Sequence, residues 1–325
     1  MTTVSVIGPE RPLLPPIVRR LSDSDGIDRV VVGQVNGAET VVHVAGADDE
    51  EWLHDPDARA EETVRRTRET LAAAESSGRV RALVHVSSAT VYGAWADNPV
   101  PLPEDSPLRP NPGFGYARAQ AEAERLVAEW GEDHPDVAVS VLRPAIVMGG
   151  DGRSWMSRVV GGIGTPKSAD AARPLQFVHA DDVAAAVALA VTDDLRGVYN
   201  VAPDGWVADE TARALAGGVS RFSLPGWLAR PLSRLGWILS RRGTPAGADP
   251  WVTHPWVVAN DRLRQAGWEP SHTNEEAFVV AEPESAVATA VGRHRQEIPL
   301  VVAGGVIAGA VGGAIALIVR ARRRR

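Results

Sequence analysis

The chain contains no cysteine and, in 325 residues, a single lysine, Lys167. The first absence excludes disulfides, thiolate nucleophiles and sulfur-ligated metals, and leaves the compartment open. The second leaves one candidate for any chemistry that needs an ammonium group. Arginine stands in for lysine almost everywhere, which reads as genome composition rather than function. The eight histidines show no metal-ligand spacing, so no metal site is expected. A lone histidine on an apolar strand, such as His179, reads as a core or rim residue. The N-terminus shows no secretory pattern, because residues 1–5 lead straight into a strand.

With 44% hydrophobic and 23% charged residues, the chain can bury a sizeable core. Its net charge of -7 is uneven: residues 293–325 carry +6 and the preceding residues -13. An acidic body argues against a nucleic-acid role. Residues 299–319 form a run of 21 without a charged or hydrogen-bonding side chain, and an arginine-rich tail, 320–325, follows. That length fits one bilayer-spanning helix. Gly305, Gly309 and Gly313 recur every four residues, a face that permits close helix pairing. The alternatives are a buried glycine- and alanine-rich core helix or a flexible tail. The expected localisation is the membrane, through a single-pass C-terminal anchor. The globular body is expected in the cytoplasm, with the basic tail translocated or held at the interface.

Strand and helix patterns alternate along the rest of the chain, which predicts an α/β parallel sheet. Residues 4–8, 29–32, 40–45, 81–87 and 137–142 read as strands. Residues 58–76 read as an amphipathic helix with Val64 and Leu71 on one side. Residues 115–130 and 181–191 read as further helices. Six of the ten tryptophans fall between Trp206 and Trp268. Within that region, residues 225–242 alternate large apolar residues with arginines. This suits a membrane interface or a substrate-domain helix packed on its own core.

Two motifs carry the chemistry. His85-Val86-Ser87-Ser88-Ala89-Thr90-Val91-Tyr92-Gly93 reads as a strand end entering a loop, and Gly115-Tyr116-Ala117-Arg118-Ala119-Gln120 opens a helix. The pair resembles the Ser…Tyr-x-x-x-Lys core of the extended short-chain dehydrogenase/reductases, the NAD-dependent epimerase/dehydratase family. The resemblance implies a doubly wound Rossmann-like sheet, NAD or NADP as cofactor, and a small-molecule substrate. It assigns Ser88, or Thr90, to hold a substrate oxygen and Tyr116 to move a proton. Ser88 as a local backbone cap is the plain alternative. Gln120 stands at the lysine position. A phenol titrates near pH ~10. A cation one helical turn away favours the phenolate and brings it toward neutral pH. An amide at the same spacing cannot do this, although it could bond a ribose hydroxyl. Arg118, two residues on from the tyrosine, points to another side of the helix.

The family's glycine turn after the first strand serves a tight turn, a close pyrophosphate approach and helix packing. Here it reads Gly8-Pro9-Glu10-Arg11-Pro12-Leu13-Leu14-Pro15. Gly8 remains, Arg11 falls at the second glycine, and the prolines remove backbone donors. Arg11 is either a direct phosphate contact or an ordinary solvent-facing arginine. Gly8 and His43 stand too close for two βαβ units, which need roughly 60 residues. A strand and a helix of the nucleotide half are therefore expected to be missing. Val32-Gly33-Gln34 occupies the place of the ribose-binding acid.

Later segments match the resemblance better. Leu142-Arg143-Pro144 is similar to the strand end beside the nicotinamide, which makes Arg143 and Pro144 candidate cofactor contacts. Phe177-Val178-His179-Ala180-Asp181-Asp182-Val183, Tyr199-Asn200-Val201-Ala202 and Leu263-Arg264-Gln265-Ala266-Gly267-Trp268-Glu269-Pro270 follow in the family's order. The expected organisation is a Rossmann-like core over 1–205, a small substrate-type subdomain over 206–292, and the anchor and tail over 293–325. A homodimer is expected through the tyrosine helix or the Gly305/Gly309/Gly313 face. Two functions compete: a family-like protein with impaired or absent oxidoreductase activity that binds a ligand or partner, and an active enzyme on a sugar nucleotide or lipid-linked substrate.

Overall fold

A computed structural model describes residues 2–9, 12–46, 52, 55–149, 167–168, 174–208, 211, 223–224 and 250–280. In chain order the elements are β1 (Thr3–Ile7), α1 (Leu14–Ser22), β2 (Arg29–Val32), β3 (Thr40–Val44), α2 (Pro56–Ser77), β4 (Ala82–Val86), α3 (Gly115–Asp133), β5 (Ala138–Pro144), β6 (Ile146–Met148), β7 (Lys167–Ser168), β8 (Pro174–Leu175), β9 (Phe177–His179), α4 (Ala180–Thr192), β10 (Gly197–Val201), β11 (Val207–Ala208), β12 (Ser223–Leu224), α5 (Asp261–Gln265) and α6 (Asn274–Val280). Six strands form one parallel sheet in the order β2-β1-β3-β4-β5-β10. The central strands β3 and β4 are buried throughout, as expected of near-continuous apolar runs in a sheet covered on both faces.

Alternation along the strands divides the core. Val42, Val44, Val84 and Val86 pack with Ile17 and Leu21 of α1 and with Val183 and Val187 of α4. Val41, Leu83 and Val141 pack with Leu71 and Ala74 of α2 and with Val127 and Trp130 of α3. α2 begins at Pro56, with the Asp55 side chain accepting from Ala58 N at 3.1 Å, and closes on Gly78 at φ 58. Its buried line is Thr63, Thr67, Thr70, Leu71 and Ala74, while Val64 is only half-buried. The sequence expectation placed Val64 on that face. Threonine can replace it because the hydroxyls of Thr63 and Thr67 bond back to Arg59 O and Thr63 O, leaving their methyls to pack.

The nucleotide half is short. Residues 33–39 join β2 to β3 without a helix, although these strands lie on opposite sides of β1. The loop runs back beside β1: Gly33 N donates to Val6 O and Glu39 N to Thr3 O, both at 3.0 Å. Ser5 Oγ donates to Gln34 O at 2.5 Å. Val35 and Ala38 are buried, and Val35 joins the cluster of Val41 and Leu71. A small apolar loop thus covers part of the sheet face, and β2 is the sheet edge.

Beyond residue 205, Val207 and residues within 251–278 pack into the same core. Leu102 N donates to Val257 O at 2.8 Å and Ala259 N to Leu102 O at 2.9 Å. Trp251, Trp256, Leu263 and Trp268 join the larger cluster. The chain divides into two units, 1–281 and 282–325. The second unit, with the 299–319 run, Gly305, Gly309 and Gly313, lies outside the described residues, as do Arg11 and residues 225–242. Among the described residues no helix is long and apolar enough to cross a membrane.

Candidate functional site

The principal cavity opens at the carboxyl ends of the central strands, beside the point where the chain leaves β1 for β2 on one side while β3 lies on the other. Crevices of this kind are the usual ligand sites of open α/β sheets. The cavity is lined by Pro12 and Leu13, by Val44 and Gly46 after β3, by Val86, Ser87, Ser88 and Thr90 after β4, by Tyr116, by Pro144 to Val147, and by Trp256. It therefore brings together Ser88, Thr90, Tyr116 and Pro144 from the sequence-predicted set. Gly8, Gln120 and Arg143 do not line it.

Ser88 ends the extended segment after β4 and caps a short turn at Ala89–Tyr92. Its Oγ accepts from Thr90 N at 3.3 Å and from the Thr90 hydroxyl at 3.0 Å. The residue that makes the local cap also lines the cavity. Tyr116 sits in the first turn of α3 and is 8% exposed, with its ring edge-on to Trp52 at 5.2 Å. Both aromatic neighbours, Trp52 and Phe114, hold the phenol in a low-dielectric wall.

Tyr116, Gln120 and Glu124 recur at i+4 along one buried face of α3. Gln120 is 0% exposed, and neither its Oε1 nor its Nε2 finds a hydrogen-bond partner among the described residues. Its Nε2 lies 2.8 Å from where a Cβ on Gly46 would stand. Gly46 thus makes room for the amide and screens it from the cavity. Lys167 contributes its backbone to β7, and its side chain lies outside the described residues.

Arg143 is a buried, paired residue and does not line the cavity. It is 5% exposed, and its guanidinium forms a two-pronged pair with Glu124, with Nη2 to Oε2 at 2.6 Å and Nε to Oε1 at 3.0 Å. Nη1 donates to the Tyr92 hydroxyl at 2.7 Å and to Glu104 O at 3.2 Å. Tyr92 donates in turn to Asn200 Oδ1 at 2.8 Å, and Ser87 Oγ donates to Glu124 Oε1 at 2.6 Å. Burial pushes the Tyr92 phenol up to about 12, against the opposing pull of Arg143. Burial alone would lower the pKa of Arg143, but the Glu124 charge and hydrogen bonds outweigh it and the net shift is upward. Sequence reading missed this network. Its signal was available: Glu124 lies two turns from Tyr116 on a face that must be buried, and a buried carboxylate requires a cation.

His43 and His85 face each other from β3 and β4, Nδ1 to Nδ1 at 3.0 Å. One ring must carry its proton on Nδ1 and the other must leave Nδ1 bare, and because burial disfavours the charged form of each the pair is neutral near pH 7. Burial lowers His43 to about 4, helped by the Arg66 charge. It holds His85 well below its ordinary value, helped by His43 and Arg143.

Among the described residues, the turn after β1 offers few donors to a pyrophosphate. Gly8 remains glycine for packing: a Cβ there would stand 2.7 Å from Val44 Cβ and 2.8 Å from Val44 O. α1 opens with Leu14, Pro15 and Pro16, and no side chain caps it. Two of its first three residues thus have no N–H to offer an anion. Pro12 and Leu13 present apolar surface to the cavity instead. A second cavity shares Gly46 with the first and carries Arg59, Glu62, Thr63 and Arg66, where Arg66 is paired with Glu62.

Residues 17–202 match the model of the NAD dependent epimerase/dehydratase family, a stretch that begins after the proline-rich turn. A 3-diazoavenalumate denitrifying reductase from Streptomyces is 31% identical over 284 residues, covering 79% of this chain and 87% of the relative. An uncharacterized protein of Mycobacterium tuberculosis is 28% identical over 246 residues, covering 74% of this chain and 64% of that protein, so the chain spans just under two thirds of the mycobacterial relative. Among solved structures, a UDP-glucuronic acid 4-epimerase from Bacillus cereus in complex with NAD superposes with a TM-score of 0.64 at 11% identity, over 86% of this chain and 98% of that one. RMD from Pseudomonas aeruginosa complexed with NADPH gives 0.62 at 19% identity, over 86% and 97%. The structural likenesses establish the Rossmann-like fold, and the sequence match establishes kinship: the chain belongs to the NAD-dependent epimerase/dehydratase family.

Proposed function

We propose that this chain is a ligand-binding member of its family whose oxidoreductase activity is impaired or absent. One observation carries the reading. The position that supplies a cation to the family's tyrosine holds Gln120, an uncharged amide, fully buried and without a protein hydrogen-bond partner among the described residues. Nothing at that position can stabilise a phenolate electrostatically. Family membership implies NAD or NADP, but the turn after β1 offers apolar Leu13 and donor-free prolines where an anion needs N–H groups. What the chain's own residues still do is hold Ser88, Thr90 and Tyr116 around one cavity and keep water from its apolar wall. The test is titration of the full chain with NADH and NADPH, read by nucleotide fluorescence and by melting temperature. No saturable change is expected. A saturable change would contradict the reading.

A second reading, an active reductase using Ser88 and Tyr116, is favoured by the retained hydroxyl pair and by the Streptomyces relative's name. Nucleotide oxidation with a carbonyl substrate would establish it. We also propose that residues 299–319 tether the chain to a membrane, with a cytoplasmic body. The support is that run's length and lack of polar side chains. Carbonate extraction of the intact chain from membranes is expected to fail, and recovery in the wash would refute the tether. Pairing of two copies through α3 or the glycine face remains part of the same proposal.

A further inference from the structure

His179 ends β9 and is the N-cap of α4, with its Nδ1 accepting from Asp181 N at 3.2 Å. A backbone N–H only donates, so that nitrogen is bare and the ring is neutral with its proton on Nε2. The same first turn of α4 carries a second attachment. Asp182, whose side chain is 1% exposed, accepts from Ser271 N, Ser271 Oγ, His272 N and His272 Nδ1 at 2.5–3.2 Å. His272 in turn stacks on His179, with ring centroids 4.0 Å apart. One helical turn therefore holds both its own cap and the segment that leads into α6.

The His179 ring has little room to answer a change of charge. Its Nε2 edge lies against Gly149, where a Cβ would stand 2.6 Å away. Asp181 Oδ2 is 3.7 Å from Nδ1, but Asp181 is engaged by Arg19 of α1 at 2.7 Å. Among the described residues, the titratable or charged groups around the ring are Asp181 and Asp182 on α4, His272 before α6, Glu276 on α6 beside His272, and Arg19 on α1 beyond Asp181. Burial, helped by His272, lowers His179 below its ordinary value against the pull of the two aspartates. A proton on Nδ1 would point at the Asp181 N–H that this nitrogen now caps, turning an acceptor into a second donor.

We propose that His179 is an acid-sensitive latch: protonating it uncaps α4 and loosens the hold of Asp182 on residues 271–272. The folded chain favours the neutral ring, so the latch is closed above about pH 6.5 and opens as pH falls below that value. β6 runs from the latch to the principal cavity: Met148 pairs with His179, while Ile146 and Val147 line the cavity.

The test is hydrogen–deuterium exchange of the full chain at pH 7.5 and 5.5, corrected for the intrinsic exchange rate at each pH. Protection of the first turn of α4 and of residues 271–273 is expected to fall at least about fivefold at pH 5.5, as for loss of a helix cap. His179→Asn keeps a capping oxygen and does not titrate, so its protection at both places is expected to change less than about twofold. This variant separates the latch from His43 and His85, which titrate with or without it. Nitrogen chemical shifts of the wild-type imidazoles need no variant: His179 Nδ1 is expected to be bare at pH 7.5 and to take up a proton on acidification. Equal wild-type protection at the two pH values, an undiminished fall in His179→Asn, or a protonated Nδ1 at pH 7.5 would each overturn the proposal.

Discussion

The two ends of the sheet's carboxyl edge have been treated differently. At the tyrosine end, Ser87, Tyr92, Glu124, Arg143 and Asn200 form a buried network in which each member has a partner. At the nucleotide end, a helix and strand give way to the loop at 33–39, and the helix start beside the cavity is proline and leucine. Among the described residues, the tyrosine end is held by buried charged and polar contacts and the nucleotide end by apolar packing.

The comparison can be broken most severely at the tyrosine end. Glu124→Leu removes the carboxylate from a pair whose side chains are 6% and 5% exposed. It leaves the Arg143 guanidinium buried and uncompensated, so a loss of about 3–5 kcal/mol is expected in urea unfolding. A loss below about 1 kcal/mol would show that the network is dispensable.

The seam between the ends is His43 and His85. Their folded pKa values lie below the ordinary 6.5, so the unfolded chain binds more protons as pH falls through that value. Stability is thus complete above about pH 6.5 and declines below it, by up to about 1.4 kcal/mol per pH unit for each histidine. For His43 the decline continues until about pH 4. Unfolding free energies at pH 7, 6 and 5 test this. A flat profile over that window would contradict the neutral pair.

At the nucleotide end, Gly8→Ala is expected to cost about 1–3 kcal/mol, because the new methyl meets backbone as well as side chain at Val44. A neutral effect would mean that Gly8 is kept for something other than packing. Gln120→Met sharpens the comparison with the smallest effect and the opposite sign. It removes two buried polar atoms that lack a partner among the described residues, at similar volume, and is expected to stabilise by about 1 kcal/mol. Destabilisation would reveal a partner for the amide.

Much of this was legible in the sequence. The parallel sheet followed from the alternating pattern, and the shortened half from the closeness of Gly8 to His43. The grouping of Ser88, Thr90, Tyr116 and Pro144 followed from motif order. The rest depended on contacts between residues distant in sequence. Arg143 reads as a candidate cofactor contact at a strand end until Glu124 is placed opposite it. Val64 reads as core until α2 turns its threonines inward. Val35 and Ala38 read as loop residues, because nothing local shows that they replace a helix. The burial of Gln120 behind Gly46 joins a helix to a strand end and has no local signature.

The claim that the nucleotide end no longer receives a dinucleotide is tested most directly by calorimetric titration of the full chain with ADP-ribose, which carries the pyrophosphate without the nicotinamide. The account predicts no saturable heat up to about 1 mM, a limit equivalent to about 4 kcal/mol of binding free energy. Saturable one-to-one binding below that concentration would contradict it.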